Sequence, residues 1–397
     1  MNTILTKIET SQDAVNFLVK NATEENWNSI EESIIMAKFK ADLNLEKELF
    51  DALDWPLDRE AYLKYLHKFE RWTPLQSKNK VWNKKGVNQN QEVYDRLCHF
   101  YYLIDQPTGI GILKDSISWF SKYLLHFTEN WGSYMNSSHS FNKDLLSFHL
   151  KHTPQYKIED SLIRGNSKNE WKCFNDFFIR ELNPGLRTIA DFSNNRTITC
   201  PADSTFKQKT TIDLNSHTKA ITVKHTHTFD NIIELLKESS YASEFANGTL
   251  VHYSVQAHSY HRFHAPVCGL VKESYPVYDV KNFDIDIRQD GVFATSNNGV
   301  NAYQFSQSRG VLILDTTNSP QGDMGIVAVV PIGMSQISSV HMLATPDTVV
   351  DKGQEIGYFK YGGSDVILIF QEGKAPKIDT SNTLRHYGTS ISQSPKN

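Results

Sequence analysis

Three histidines, His258, His261 and His264, recur at spacings of three in the segment that ends at Pro266. On a helix this spacing would place the imidazoles on roughly one side, where they could bind a metal ion. Pro266 and the neighbouring candidate strands favour an extended or turning backbone instead. Because imidazole titrates near neutral pH, the preferred functional interpretation is a general base or a proton donor. The alternative is that these side chains are structural or exposed.

A second cluster, Tyr361-Gly-Gly-Ser364-Asp365, precedes the apolar run Val366–Phe370. Two glycines and an aspartate are ordinary choices for a tight turn before a strand. The glycines also remove Cβ crowding before Ser364, so that a strained backbone can bring the hydroxyl close to the adjoining carbonyl. A hydrolase nucleophile elbow is excluded, because Val366 stands where that motif has its last glycine.

Two further segments carry charged side chains beside turn residues. Asp203 lies in Cys200-Pro-Ala-Asp203-Ser204, a turn whose carboxylate matters for catalysis only if it orients a histidine. Arg180 and Arg187 flank the pair Pro184-Gly185, and their guanidinium groups could bind a carboxylate or a phosphate. Structural packing and a surface arginine are the alternative interpretation of this segment.

Composition limits what these residues can belong to. The chain has 397 residues, of which 39% are hydrophobic and 22% charged, and its net charge is −4. A folded protein of two or three domains is expected, and nothing in the charge favours a nucleic-acid partner. The four cysteines include no C-x-x-C pair, which fits a reducing compartment and a cytoplasmic location. No apolar run approaches the roughly 18 residues that a membrane span needs, and no signal peptide is predicted.

The pattern of apolar residues changes along the chain. Residues 1–150 show helical spacing, for example from Leu113 to Phe127, and residues 151–397 contain short β-branched runs bounded by turn residues. One helix, Phe229–Glu238, interrupts the strands, and the polar stretch from Thr380 onward is expected to fray. The predicted fold class is therefore α+β, with a helical N-terminal extension followed by a β-rich catalytic domain. The strand predictions are Leu250–Val255, Gly269–Lys272, Val311–Leu314, Ile326–Val330 and Val366–Phe370.

In their order along the chain, these clusters resemble the phosphatidylserine decarboxylase family. The resemblance covers roughly residues 170 to 375. The matching motifs are F-F-x-R-x-L-x-P-G-x-R from Phe177 to Arg187, the turn S-P-A-D-G at Cys200–Ser204, Y-H-R-x-H-x-P from Tyr260 to Pro266, and the Gly363-Ser364 processing site.

The resemblance implies a zymogen that cleaves itself between Gly363 and Ser364. It assigns Ser364 as the nucleophile, His264 as its base and Asp203 as the group that orients His264. Attack of the Ser364 hydroxyl on the Gly363 carbonyl converts the amide to an ester, and β-elimination leaves dehydroalanine, which hydrolyses to a pyruvoyl group. The small chain 364–397 is expected to stay bound to the large chain 1–363.

The resemblance also implies a carboxy-lyase of phospholipid biosynthesis. The pyruvoyl group would form a Schiff base with an amine substrate and draw electrons from the bond to the carboxylate. The expected reaction converts phosphatidylserine to phosphatidylethanolamine and CO2, without pyridoxal phosphate or a metal. His261 is the candidate for protonating the substrate carbon, and Arg180, Arg187 and Arg262 are the candidates for binding the substrate.

Departures from the family pattern leave alternatives open. Ser204 replaces a glycine, and Asp365 adds a negative charge beside the future pyruvoyl group, which could slow processing or alter substrate preference. Residues 1–150 are similar in length to the extension of soluble relatives that decarboxylate a free aromatic amino acid such as tryptophan. A metal enzyme using the three histidines and a non-catalytic member are further alternatives.

Two expectations concern partners. The helix near Leu113–Phe127 could touch a membrane peripherally or could pack in the core. A homo-oligomer is also expected.

Overall fold

The computed structural model describes residues 14–83, 91–106, 119–162, 171–223, 227–280, 285–295, 307–334, 340–361 and 363–392. The chain divides into two compact units. The first comprises Met1–His152 and Val280–Asn297, and the second comprises Thr153–Asp279 and Asn298–Asn397. Helices dominate the first unit and antiparallel strands the second, so the predicted α+β class is confirmed.

The first unit is a helical assembly with one inserted β-hairpin. The hairpin, β7 (Ile285–Ile287) and β8 (Phe293–Thr295), comes from a part of the chain that the sequence interpretation placed with the strands. The Phe293 ring packs against His99 and Tyr102 of the helices. The helices are α1 (Ala14–Asn21), α2 (Glu24–Asn44), α3 (Lys47–Ala52), α4 (Arg59–Phe69), α5 (Gln91–Tyr102), α6 (Trp119–Met135) and α7 (Lys143–His152).

Helix α6 supplies much of the aromatic core of this unit. Tyr123, Leu124, Phe127 and Trp131 recur at helical spacing and are buried, and the Trp131 indole donates to the Trp72 carbonyl at 2.8 Å. The described part of this helix is therefore core rather than membrane-facing, while Leu113 lies outside the described residues. No helix in the described ranges is long and apolar enough to cross a membrane.

A buried histidine makes the stability of the helical unit depend on pH. Burial lowers the pKa of His99 to about 3, whereas an unfolded histidine titrates near 6.5. Between these values the unfolded chain binds more protons, so the free energy of unfolding falls as the pH falls. Asparagine in the variant His99→Asn can keep the contact with Tyr65 but does not titrate. Between pH 7 and pH 5 we expect the free energy of unfolding of this variant to fall by about 2 kcal/mol less than that of the wild type. Urea unfolding followed by circular dichroism at both pH values measures this, and an unchanged loss in the variant would contradict it.

The second unit is built around an antiparallel sheet. The strands are β1 (Ser204–Thr211), β2 (His217–Val223), β3 (His227–Asn231), β4 (Thr249–Val255), β5 (Arg262–His264), β6 (Gly269–Val280), β9 (Gln307–Asp315), β10 (Ile326–Met334), β11 (Val340–Met342), β12 (Val349–Val350), β13 (Glu355–Phe359), β14 (Gly363–Phe370) and β15 (Leu384–Arg385), and the helices are α8 (Phe174–Phe178) and α9 (Ile232–Leu236). The order of the main sheet is β12-β6-β9-β10-β14-β4-β1-β15, which places β14 between β10 and β4 in the interior of the sheet. A smaller sheet has the order β11-β13-β5.

The five strand predictions are confirmed, but two other predictions for this unit are wrong. The helix predicted over Phe229–Glu238 is limited to α9, because residues up to Asn231 belong to β3 and the Asn231 side chain caps the helix at Ile233. The stretch after Thr380 is ordered rather than frayed up to residue 392. Its Ile391 is fully buried in the same apolar cluster as β14.

Candidate functional site

Ser364 lies near the start of β14, held by strands on both sides. It faces Gly333 of β10 and Val255 of β4. The side chain is fully buried, and its hydroxyl donates to His261 Nδ1 at 3.3 Å. The bond that the motif marks for cleavage, Gly363–Ser364, is thus fixed in register at the beginning of an interior strand.

The contacts of His261 determine its tautomer. Its Nε2 lies 3.0 Å from the Ala257 carbonyl oxygen, which only accepts hydrogen bonds, so Nε2 carries the proton. Nδ1 is therefore unprotonated and can accept the proton of Ser364. Burial lowers the pKa of His261 to about 3, so the imidazole is neutral at pH 7. The Phe178 ring stacks on it at a centroid distance of 4.0 Å and fixes its plane.

His264 lies on β5, so the histidine segment is extended as the sequence analysis argued, and its ring contacts groups other than Ser364. Its Nδ1–H donates to the Gly353 carbonyl at 2.8 Å, and Nε2 accepts from the Tyr260 hydroxyl at 3.2 Å. Tyr387 stacks on the ring at a centroid distance of 3.7 Å and an angle of 2°. Burial lowers the pKa of His264 to about 4. The structure thus brings His261, rather than His264, into hydrogen-bonding distance of Ser364.

Asp203 is held by three donors other than His264. Arg187 Nη2 donates to it at 2.7 Å, His386 Nδ1 at 2.9 Å and the Tyr387 amide at 2.9 Å. Burial alone would raise the pKa of Asp203, but the hydrogen bonds from His386 and Arg187 outweigh it and hold the pKa below its ordinary value. Asp203 acts on His264 through its charge, which favours the protonated imidazole. Its orienting role in processing stays a prediction.

The other two predicted substrate-binding arginines differ in how their charges are balanced. Arg262 donates to Glu355 at 2.7 Å and to the Ile179 carbonyl at 2.9 Å, and Glu181 lies 3.7 Å away. Arg180 is only 4% exposed, and its Nη2 donates to three backbone carbonyls. Arg262 is thus neutralised by acidic side chains, whereas Arg180 forms no ion pair with any described residue.

Asp365 does not place its charge beside the Ser364 hydroxyl. Alternate residues of a strand point to opposite faces of the sheet, and Val366 and Ile367 accordingly belong to different apolar clusters. Asp365 therefore faces away from Ser364, and its carboxylate lies 2.6 Å from His252 Nε2 and 3.5 Å from Lys207 Nζ. The effect of Asp365 on processing or substrate preference stays a prediction.

The three histidines do not converge as a metal site would require. His261 and His264 each use both ring nitrogens on separate protein partners. Among the described residues, no group of three or more His, Cys, Asp and Glu side chains is arranged to hold a metal ion. The alternative of a metal centre at His258, His261 and His264 therefore has no geometric support.

Sequence reasoning missed two residues of this site, His386 and Tyr387. Both lie in the polar stretch that was expected to fray, yet one contacts Asp203 and the other stacks on His264. The signal available was weak: an adjacent histidine and tyrosine before Gly388, within an otherwise polar segment. If the chain is cleaved before Ser364, both residues belong to the small chain, which then completes the surroundings of two large-chain residues.

Comparison with known proteins identifies the family of the chain. A family model described as phosphatidylserine decarboxylase matches residues 174–391, more than half of the chain. Phosphatidylserine decarboxylase proenzyme 2 of Oryza sativa subsp. japonica is 30% identical over 333 residues, covering 79% of this chain and 49% of that protein. This chain therefore spans about half the length of the rice relative.

Two bacterial relatives are covered almost completely. The phosphatidylserine decarboxylase proenzyme of Clostridium novyi (strain NT) is 27% identical over 300 residues, covering 73% of this chain and 90% of that protein. The proenzyme of the same name from Clostridium perfringens is 29% identical over 305 residues, with coverages of 76% and 92%. The chain belongs to the phosphatidylserine decarboxylase family, a family of pyruvoyl-dependent carboxy-lyases.

Proposed function

We propose that this chain is a self-processing decarboxylase that converts phosphatidylserine to phosphatidylethanolamine and CO2. The observation that carries the proposal is the buried Ser364 hydroxyl in contact with the unprotonated Nδ1 of His261. The names of the relatives supply the substrate, and the word proenzyme in those names fits cleavage at Gly363–Ser364.

Processing requires the Ser364 oxygen to lose its proton as it attacks the Gly363 carbonyl carbon. The new ester C–O bond forms as the amide C–N bond breaks, and the freed α-amino group of Ser364 takes up a proton. The contact with Ser364 supports His261 as the base that moves this proton, whereas the resemblance implies His264. Separate measurements of cleavage and of decarboxylation distinguish the two.

The surroundings of Ser364 fit a pyruvoyl group at this position. Residue 364 is fully buried, the buried Phe178 ring stacks on His261, and the buried Tyr361 ring packs against Phe178. The pyruvoyl group supplies an electron-withdrawing carbonyl that reacts with a primary amine. A substrate carboxylate bound against these rings would be shielded from water, which would favour loss of CO2. His261, whose Nε2–H is held by Ala257, keeps the unprotonated Nδ1 at residue 364. To protonate the substrate carbon, Nδ1 must first take up a proton from solvent, and this proton replaces the carboxylate that leaves as CO2.

The choice between a lipid and a free amino acid is tested directly with the purified protein. We expect CO2 release from a short-chain phosphatidylserine in detergent, and release at least about a hundredfold slower from free tryptophan and free serine, because remote binding energy contributes to catalysis. Ser364→Ala is the blank for all three substrates. Decarboxylation of tryptophan without decarboxylation of the lipid would establish the alternative function instead.

Further proposals accompany this substrate. Because its substrate is a phospholipid, we propose that the protein contacts a membrane surface peripherally. We also propose a cytoplasmic location and a homo-oligomeric state. The described part of α6 does not supply the membrane contact, since Tyr123, Phe127 and Trp131 are buried. The two chains produced by processing are proposed to stay together, because β14 of the small chain is hydrogen-bonded between β10 and β4 of the large chain.

A further inference from the structure

Cleavage before Ser364 changes how residue 364 is held in the sheet. In the uncleaved chain, the peptide bonds to Gly363 and Asp365 hold it on both sides. Cleavage breaks the first of these bonds, and hydrolysis of dehydroalanine to the pyruvoyl group releases the nitrogen of residue 364 as ammonia. The pyruvoyl group therefore has no N–H to donate to a neighbouring strand, and Asp365 is the only residue covalently attached to it. Its position then depends on how firmly Asp365 is held.

The Asp365 side chain contacts residues of the two strands that follow β14 in the sheet. His252 Nε2 of β4 lies 2.6 Å from a carboxylate oxygen, and because a carboxylate only accepts hydrogen bonds, Nε2 donates. Lys207 Nζ of β1 forms an ion pair with the same oxygen at 3.5 Å. Asp365 and His252 are fully buried, and the Lys207 side chain is only 24% exposed. These three side chains, the Asp365 cluster, link three strands on the face opposite Ser364.

The backbone of β1 is adapted to this contact. Its pairing with β4 shifts between Phe206 and Gln208, so Lys207 is the extra residue of a β-bulge. A bulge redirects the side chain of its extra residue. Because β4 lies between β1 and β14, Lys207 reaches past one whole strand to Asp365. Phe206, on the other face, packs against the apolar cluster that contains Val366.

Stability alone gives no reason for charges at this place. The strand neighbours on this face are apolar: Ile332 faces Asp365 on β10, and Ile367 follows two residues later on β14. Removing a carboxylate and an ammonium from water is costly, and apolar residues of similar volume are often at least as stabilising as a buried ion pair. Charge-assisted hydrogen bonds are directional, however, and fix the position of the groups that they join.

We propose that Asp365 is a positioning residue that holds the pyruvoyl group in place after cleavage. The inference rests on the proposed function, since it concerns the processed enzyme. Its contacts with His252 and Lys207 fix the first peptide unit of the small chain, which as a new chain end would otherwise fray. A displacement of about 1 Å at a reacting group can cost about a hundredfold in rate. The Asp365 cluster therefore acts on turnover, whereas cleavage takes place while residue 364 is still held on both sides.

Hydrogen–deuterium exchange in the segment 364–370 measures how firmly this chain end is held. We expect Asp365→Ala to raise exchange at the first amides of the cleaved small chain about tenfold, and much less in the uncleaved Ser364→Ala background, where the peptide bond to residue 363 still holds the strand. Asp365→Asn, which can still accept from His252, is expected to have a smaller effect. A loss of sheet stability alone would raise exchange equally in the cleaved and uncleaved chains, and that result would overturn the inference.

Turnover of phosphatidylserine gives a second readout. Per pyruvoyl group, we expect kcat to fall about tenfold in Asp365→Ala and about threefold in Asp365→Asn and in Lys207→Met, with KM changed less than about twofold, because the Asp365 cluster lies on the face opposite residue 364. The double variant of Asp365→Asn and Lys207→Met removes both charges of one ion pair, so its loss should not exceed the larger single loss. Lys209→Gln, at an exposed lysine of the same strand, is the matched control and should keep the wild-type kcat. Circular dichroism checks the fold of each variant, and the partly exposed Lys207 supplies the test if Asp365→Ala does not fold.

The outcomes separate this inference from the proposed function. If the wild type decarboxylates phosphatidylserine and both Asp365→Asn and Lys207→Met keep its kcat, the inference fails and the function stands. An equal loss in Lys209→Gln would also overturn the inference. If exchange rises in the cleaved variants but the wild type releases no CO2 from phosphatidylserine, the function fails and the positioning of the chain end stands. A wild-type chain that is never cleaved, as intact mass spectrometry would show, removes both.

Discussion

Ser364→Ala is expected to leave the protein as one chain of 45.4 kDa without decarboxylase activity. The substitution removes the only atom of residue 364 that can attack the Gly363 carbonyl, and with it the source of the pyruvoyl group. Wild-type protein should separate into chains 1–363 and 364–397 under denaturing conditions, the smaller one beginning with a pyruvoyl group. Intact mass spectrometry beside a CO2-release assay measures both effects.

The variant is expected to fold, so that loss of cleavage is a chemical result. Replacing the buried hydroxyl deletes one neutral hydrogen bond, which contributes about 1 kcal/mol, and leaves the strand register unchanged. Ser364→Cys is the matched control because it keeps a nucleophile at the same place, and slow cleavage is expected there. Two fragments from Ser364→Ala, or a single full-length wild-type chain, would remove the processing mechanism.

The position of Ser364 at the start of a strand could be predicted because its signal is local. Gly-Gly-Ser before an apolar run of five residues indicates a strand, and the structure has Ser364 as the second residue of β14. The same run also predicts on which face of the strand Asp365 lies. Its period of two places residues 364 and 366 on one face and residues 365 and 367 on the other. The partners of Asp365 could not be predicted, since His252 is 113 residues away along the chain and Lys207 is 158.

Other features of the site and of the fold depend on contacts between residues far apart in the chain, which local sequence does not predict. His386 reaches Asp203 across 183 residues, and its polar neighbours gave the segment the composition of a frayed end. The hairpin at 285–295 packs with helices 180 or more residues earlier, as in the bond from the Ile285 amide to Asp105. The sequence analysis predicted no strand over residues 285–295 and placed them with the β-rich domain, whereas they form a hairpin of the helical unit.

Local sequence also could not decide which histidine contacts Ser364. A spacing of three would place His261 and His264 together on a helix, but the segment enters a strand at Arg262. His261 therefore precedes β5 and turns to Ser364, whereas His264 ends β5 between Gly353 and Tyr260. The outcome depends on the pairing of β5 with β13, which lies about 90 residues further along the chain.

His261→Gln is expected to lower the decarboxylation rate per pyruvoyl group by on the order of a hundredfold or more, the usual effect of removing a general acid–base. Glutamine can still donate to the Ala257 carbonyl, but it has no basic nitrogen to exchange a proton at residue 364. Pyruvoyl content, measured by mass spectrometry in the same sample, separates loss of turnover from loss of cleavage. Cleavage of His261→Gln together with failure of His264→Gln would assign the processing base to His264, and the reverse result would assign it to His261.

The pH profile gives a readout that a purely structural role for His261 would not produce. The neutral, proton-accepting form is lost only as the pH falls through the folded pKa, which burial lowers to about 3. Self-cleavage that depends on His261 should therefore keep its rate from pH 8 down to pH 5 and decline only in more acidic solution. A rate that instead halves near pH 6.5 would mean that an exposed, ordinary imidazole is the base. His139→Gln, at an exposed histidine of the helical unit, is the control for the substitution itself, and wild-type turnover per pyruvoyl in His261→Gln would exclude His261 from the chemistry.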